Sequence, residues 1–171
     1  MSVFLGLGTN LGDRLKNLEK AIFLLIENRK LLISNYSGIY KTEPKHFVKQ
    51  PFFLNMVLEV KTELDCFSLL SHTKKIEKKM HREKKPKNHP RIIDIDILAY
   101  KKSLIRSQEL VVPHPLITKR NFVLIPWSEI SQHYILPGEN VSLKKLIENS
   151  NDLSKVEKYR KHQDVNIPYS N

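Results

Sequence analysis

Apolar positions along the chain follow two periods, and the changes from one to the other outline the fold. Ser2-Val-Phe-Leu-Gly-Leu-Gly8 is a short apolar strand that ends at glycines, with Thr9 to Asp13 as a turn. Leu15, Leu18, Ile22, Leu25 and Ile26 then recur every three or four residues, which predicts a helix ending near Asn28. Asp13 or Asn10 can cap it, and Arg14, Lys16, Glu19 and Lys20 face water. Leu31 to Tyr40 reads as a second strand and Phe52 to Lys61 as a third, with Met56, Leu58 and Val60 alternating against Val57, Glu59 and Lys61. Pro44 and Pro51 break the segment between them, leaving it able to fold over a ligand. A second helix is predicted from about Asp65 to His81, with Leu69, His72, Ile76 and Met80 near one stripe and His72 as a satisfied interior histidine. Glu83 to Pro90 has no apolar anchor and reads as a mobile loop leading into a β-branched strand within Asn88 to Leu98.

The order strand, helix, strand, strand, helix, strand is that of an α+β, ferredoxin-like split βαβ sheet. Beyond it, Tyr100 to Ile105 suggests a small hairpin, Val111 to Pro115 an extended edge, Asn121 to Ile130 a helix kinked by Pro126, and Leu143 to Asn149 another turn or two of helix. Residues 1–150 are expected to form one domain, and the polar stretch 151–171 a loosely held tail.

Composition limits the function classes. A chain of 171 residues buries about 70% of its unfolded surface, enough for a real core. The longest apolar run, Ala21 to Ile26, is too short to cross a membrane, so a cytoplasmic protein is expected. Cys66 is alone, which rules out an internal disulfide and makes it a core filler. The net charge is +11, and nine basic residues against two acidic ones lie between Lys74 and Arg91. Such a concentration attracts polyanions, nucleic acid or nucleoside triphosphate alike, although lysines on a helix face such as Lys74, Lys75, Lys78 and Lys79 also serve solubility alone.

Chemistry enters in the last core strand. Asp94 and Asp96 leave one face of it, with Cα atoms roughly 6.5 Å apart, while Ile93, Ile95 and Ile97 leave the other. Adjacent carboxylates repel one another and resist desolvation, so positive charge is expected nearby. Mg²⁺ is one solution, since it takes one or two carboxylates together with waters and substrate phosphates. The alternative is that one Asp pairs with Arg91 and the other is solvated at a strand end. Gly6-Leu-Gly8 lacks the third glycine of a dinucleotide loop, and there is no Gly-Lys-Ser/Thr phosphate loop.

Six pieces, in order, resemble one family: Gly6-x-Gly-Thr-Asn-Leu-Gly-Asp-Arg14, Tyr40-x-Thr-x-Pro44, Gln50-Pro-x-Phe-Leu-Asn55, Pro90-Arg-x-Ile-Asp-Ile-Asp-Ile-Leu98, Val112-Pro-His-Pro115 and Arg120-x-Phe-Val-Leu-x-Pro126. Together they resemble the 6-hydroxymethyl-7,8-dihydropterin pyrophosphokinases of folate biosynthesis over roughly residues 2 to 150. The resemblance implies a ferredoxin-like fold and transfer of the terminal pyrophosphoryl of ATP to the pterin hydroxymethyl group, releasing AMP. It implies Asp94 and Asp96 as ligands of two Mg²⁺ ions, with Asp96 a candidate for taking the proton, and Arg82 and Arg91 as catalytic arginines. On the ATP side it implies Lys74, Glu77, Arg82, Arg91, His114 and Arg120, with adenine and ribose held by backbone near Ile97, Val111 and Val112. On the pterin side it implies Phe53 and Phe122 sandwiching the flat ring, Asn55 reading its amide-like edge, and Thr42, Glu43, Pro44 and Asp94 around it.

The loops at Lys45 to Lys49 and Glu83 to His89 resemble those that close over substrates in the family, excluding water. The chain departs from the usual pattern at His89, where many relatives carry Trp, at Phe53, where Tyr is frequent, and at Leu116, where Arg often follows His-Pro. Small-molecule substrates are expected, with no nucleic acid or membrane partner and a monomeric chain. An RNA-binding module would want exposed aromatics and a Lys/Arg-Gly-Phe-like strand signature, which is absent, and paired aspartates would repel phosphodiesters.

Overall fold

The computed structural model describes residues 2–44, 50–81, 89–165 and 167. The loops expected over Lys45 to Lys49 and Glu83 to Asn88, and Arg82 with them, lie outside the described residues. Strand β1 (Val3–Thr9) is central, pairing antiparallel with β4 (Phe53–Thr62) on one side and with β5 (Asp94–Tyr100) on the other. On the far side of β4 lie β2 (Leu31–Tyr36) and β3 (Ile39–Thr42), completing the four-position order of a split βαβ sheet.

The helices follow the apolar period. Helix α1 (Arg14–Ile26) is capped by Asp13, whose Oδ1 accepts the Lys16 N–H at 3.2 Å. Helix α2 (Cys66–Lys79) is capped by Asp65, which accepts from the N–H groups of Phe67 and Ser68 at 2.9 and 3.0 Å. Both pack on one face of the sheet, where Leu18, Ile22 and Leu25 of α1 and Leu69 and Ile76 of α2 join Leu5, Leu7, Met56, Leu58, Ile95 and Ile97 in the larger core. Cys66 is half-buried against that core. His72 is less satisfied than its stripe suggests, since its buried Nε2 has no hydrogen-bond partner among the described residues and burial holds the imidazole pKa below its ordinary value.

The opposite face is covered over only part of its area. Helix α3 (Asn121–Ser131), which contains Pro126, and α4 (Leu143–Glu148) bury Val123, Leu124, Trp127 and Leu143 against Phe4, Val57, Leu98 and Ala99. A bulge at Leu98 of β5, opposite Phe4 and Leu5 of β1, lets Leu98 and Ala99 both join this smaller core. The rest of the face stays open.

Three expectations need correcting. The strand expected over Leu31 to Tyr40 breaks at Ser37, whose buried hydroxyl accepts the Val57 N–H at 2.9 Å and donates to Gly38 O at 2.7 Å. A Cβ at Gly38 would stand 2.5 Å from the Arg160 carbonyl, so only glycine fits this bend. The hairpin expected at Tyr100 to Ile105 forms later: β5 runs through Tyr100, and β6 (Ile105–Arg106) pairs with β7 (Val111–Val112) instead. The tail is not loosely held over its described part. Strand β8 (Val156–Arg160) pairs with β3 at the edge of the sheet, and Val165 and Ile167 are buried in the larger core. No helix of the described residues is long and apolar enough to cross a membrane.

Candidate active site

The open part of the sheet face forms the floor of a cavity of about 810 Å³. Gly6 lies between Asp96 on β5 and Val57 on β4, and Gly8 between Asp94 and Asn55. Strand alternation turns these positions to the cavity, and the lack of side chains at 6 and 8 leaves room above the middle strand. A Cβ at Gly8 would stand 2.8 Å from Asn55 Oδ1.

One end of the floor is acidic. Arg91 Nη1 lies 2.6 Å from Asp94 Oδ2, so at Asp94 the pairing of one Asp with Arg91 is present. Arg91 is itself fixed through its backbone, because Asn10 Oδ1 accepts its N–H at 2.8 Å and the Asn10 N–H donates to its carbonyl at 3.1 Å. Asp96 is perturbed most: burial, and next the charge of Asp94, push its pKa up to about 7 against the pull of Lys74 and Arg120. A carboxylate so poised calls for a cation, and two hard oxygen donors on one strand face suit a divalent one. Among the described residues no group of three or more His, Cys, Asp or Glu could hold a metal unaided. The pair therefore fits a Mg²⁺ whose remaining ligands are waters or phosphate oxygens.

Around this end stands a wall of donors. Arg120, at the start of α3, and Lys74 of α2 line the cavity, as do His114 and Lys119. His114 Nδ1 accepts the Leu116 N–H at 3.2 Å, which assigns the ring proton to Nε2 as a donor. Burial, and next Arg120, hold the His114 pKa below its ordinary value, so the ring is neutral at pH 7. Glu77 sits behind the wall, buried, with Oε2 2.9 Å from Lys74 Nζ.

The other end suits a flat polar ring. Phe53 of β4 and Phe122 of α3 both line the cavity, and the Arg120 guanidinium lies 5.6 Å from the Phe122 ring centroid. Asn55 is buried and donates from Nδ2 to Thr42 Oγ1 at 2.7 Å. Thr42, Glu43, Pro44 and Gln50 complete this end.

The cavity thus gathers Thr42, Glu43, Pro44, Phe53, Asn55, Lys74, Arg91, Asp94, Asp96, His114, Arg120 and Phe122, together with the departing residues His89 and Leu116. Four of the expected residues stand outside its lining. Glu77 is buried behind it, Ile97 faces the helices in the larger core, Val112 is buried, and Val111 is exposed on β7. Gly6, Gly8, Gln50, Lys119 and the buried anchor Asn10 are not among the residues expected at the site; two glycines at alternate positions of one strand are the sequence signal for the floor.

This arrangement has counterparts. The family model described as 7,8-dihydro-6-hydroxymethylpterin-pyrophosphokinase (HPPK) matches residues 4–132. The 2-amino-4-hydroxy-6-hydroxymethyldihydropteridine pyrophosphokinase of Aquifex aeolicus is 44% identical over 144 residues, covering 84% of this chain and 89% of that one. The Bacillus subtilis protein of the same name is 40% identical over 129 residues, covering 75% and 77%. In fold, the wild-type HPPK-DHPS of Plasmodium falciparum crystallised with pteroate superposes with a TM-score of 0.70 at 17% identity, over 86% of this chain and 44% of the length of that fused one. Since the matched span carries β1 through α3, and with them both ends of the cavity floor, the chain belongs to the 7,8-dihydro-6-hydroxymethylpterin-pyrophosphokinase family.

Proposed function

We propose that this chain carries out the pyrophosphoryl transfer of folate biosynthesis across the floor formed by β1, β4 and β5, with ATP at the acidic, donor-walled end and 6-hydroxymethyl-7,8-dihydropterin at the Phe53/Phe122 end. The pterin hydroxyl oxygen attacks the β-phosphorus of ATP, the bond from that phosphorus to the α,β-bridging oxygen breaks, and AMP leaves with the electron pair. The hydroxyl proton goes to a base, for which Asp96 is the candidate. Such a transfer depends on holding acceptor and phosphorus in line while triphosphate charge is neutralised.

The chain's own residues divide that work. Phe53 and Phe122 stack the ring, and Asn55, held by Thr42, reads its edge. Arg120, Lys74 and the Nε2–H of neutral His114 donate to phosphate oxygens. Arg91 exchanges Asp94 for the triphosphate, which frees that carboxylate as a ligand. Two Mg²⁺ ions held by Asp94 and Asp96 would neutralise phosphate charge and lower the pKa of the acceptor hydroxyl.

The observation that carries this reading is the pair Asp94 and Asp96 on a glycine-floored face, ringed by Arg91, Lys74 and Arg120. The test is the identity of the nucleotide product when the protein is mixed with ATP, Mg²⁺ and the hydroxymethyldihydropterin. AMP is expected; ADP would make the chain a simple kinase, and no Mg²⁺ dependence would remove the metal from the account.

A further inference from the structure

The segment beyond residue 132 lies outside the family match, yet one of its side chains holds Asn121, the residue between Arg120 and Phe122 at the start of α3. Arg120 occupies the N-cap position of α3 and supplies no side-chain acceptor to the helix's first N–H groups. The acceptor comes from 31 residues further on: Asp152 Oδ2 takes the Asn121 N–H at 2.8 Å. A second bond locks the pair, since Asn121 Nδ2 donates to the Asp152 carbonyl, also at 2.8 Å. Asp152 is itself braced, as Oδ1 accepts the Ser154 N–H at 3.1 Å and the Ser154 hydroxyl, and its own N–H donates to Ser150 Oγ at 3.2 Å.

Asn121 sits between Arg120, on the phosphate side of the cavity, and Phe122, on the ring side. Fixing its backbone and its side chain fixes the directions in which both neighbours leave the chain. We propose that Asp152 is a positioning residue for the reaction: a distant N-cap that sets Arg120 and Phe122 at once, so that the C-terminal segment completes the active site without touching substrate. This rests on reading Arg120 and Phe122 as substrate contacts.

The test is steady-state kinetics of the full chain, with KM measured separately for ATP and pterin, well below the melting temperature of each variant. Asp152→Ala is expected to raise both KM values and lower kcat, losing between about 10- and 100-fold in kcat/KM through misplacement alone. Asp152→Asn keeps an oxygen that can accept the Asn121 N–H and should recover to within about threefold of the parent chain. A merely structural role would lower the melting temperature and leave both kcat/KM values unchanged, and a folded Asp152→Ala protein behaving so would overturn the proposal. So would an Asp152→Asn protein as impaired as Asp152→Ala. If Asp152→Ala does not fold, Ser154→Ala, which removes only the hydroxyl brace, should show the same losses in smaller measure, and parental kinetics there would equally overturn it. Arg120→Ala and Phe122→Ala are the controls: if neither alters kinetics, the reading of the site fails, whereas if both do and Asp152→Ala does not, the positioning role fails.

Discussion

Glu77 of α2 accepts the backbone N–H of Ile95 through Oε1 at 2.8 Å, on the one residue that separates Asp94 from Asp96. Strand β5 is a sheet edge, paired only with β1 among the described residues, so this N–H points away from the sheet and would otherwise be orphaned in a buried place. Glu77 is thus an anchor for both aspartates, and its other oxygen orients Lys74 at 2.9 Å. Glu77→Ala should cost about 1–3 kcal/mol of stability by leaving the N–H unpaired. It should also loosen the acidic pair, seen as weaker Mg²⁺ dependence of the rate. Glu77→Gln, which keeps an acceptor, should recover most of the stability in a denaturant titration and less of the rate, because Lys74 loses its ionic partner.

The raised pKa of Asp96 fixes a sign for the metal-free protein. An acid whose folded pKa, here about 7, stands above its ordinary 3.8 favours the fold less and less as pH rises through that interval. Metal-free protein should therefore lose stability from about pH 4 to pH 7 on this account. Asp96→Asn should melt higher than the parent chain at pH 8 in the presence of a chelator, by about 2–4 °C for each kcal/mol relieved, and should match it near pH 4. The same variant should lose more activity than the roughly 10- to 100-fold that removing an outer-shell partner of a metal costs. A melting point at pH 8 unchanged by the substitution would mean that Lys74 and Arg120 already neutralise the pair.

The contrast between Asp96 and its surroundings explains what is legible in the sequence. Alternation on a β-branched run places both aspartates on one face from the order of residues alone, because the period of a strand is local. The periodicity of α1 and α2 is legible for the same reason, with Asp13 one of the two caps open for α1, whereas the capping by Asp65 shows only in the fold. Strand β8 is not, since it lies at an edge and its residues are mostly exposed, leaving no alternation to detect; its partner β3 stands more than 110 positions earlier in the chain. Asn10 has the residue type and place of a helix cap, but its actual work, holding Arg91 and reaching Gln50 Oε1 at 3.1 Å, depends on contacts that only the folded chain creates. Gly6 and Gly8 signal openness only once their neighbours Asp96 and Asn55 are known.

That openness is testable at Gly8. A Cβ there would meet Asn55 Oδ1 at 2.8 Å, closer than real contacts allow, and Asn55 could yield only by straining its 2.7 Å bond to Thr42. Gly8→Ala should raise KM for the pterin by about tenfold, equivalent to about 1.4 kcal/mol, with KM for ATP changed far less. Gly6→Ala is the milder partner, because its Cβ would meet the end of the flexible Leu98 side chain at 3.1 Å. Equal effects of Gly8→Ala on both substrates, measured by separate titrations, would mean that Asn55 does not read the pterin edge.

Glu129 of α3 ties the C-terminal strand β8 to the β3 edge of the sheet. Its Oε2 accepts the Gly38 N–H and the Tyr40 hydroxyl, each at 2.9 Å, and its Oε1 lies 2.7 Å from Lys158 Nζ on β8. Burial alone would raise its pKa, but Lys158, the Gly38 N–H and the Tyr40 hydroxyl outweigh burial and hold it below the ordinary value. A carboxylate held low in the fold adds stability above its unfolded pKa, and that contribution disappears as pH falls through the folded one. Glu129→Gln should therefore cost about 1 kcal/mol at pH 7, with the difference from the parent chain shrinking in acid. Since Tyr40 lies on the strand that ends at Thr42, the hydrogen-bond partner of Asn55, the same variant should also weaken pterin binding slightly, which fluorescence titration at pH 7 reads apart from the stability difference followed into acid below pH 4.5. A stability gap that stayed constant from pH 7 down to well below 4.5, the ordinary value, would show that the charge of Glu129 contributes nothing beyond its shape.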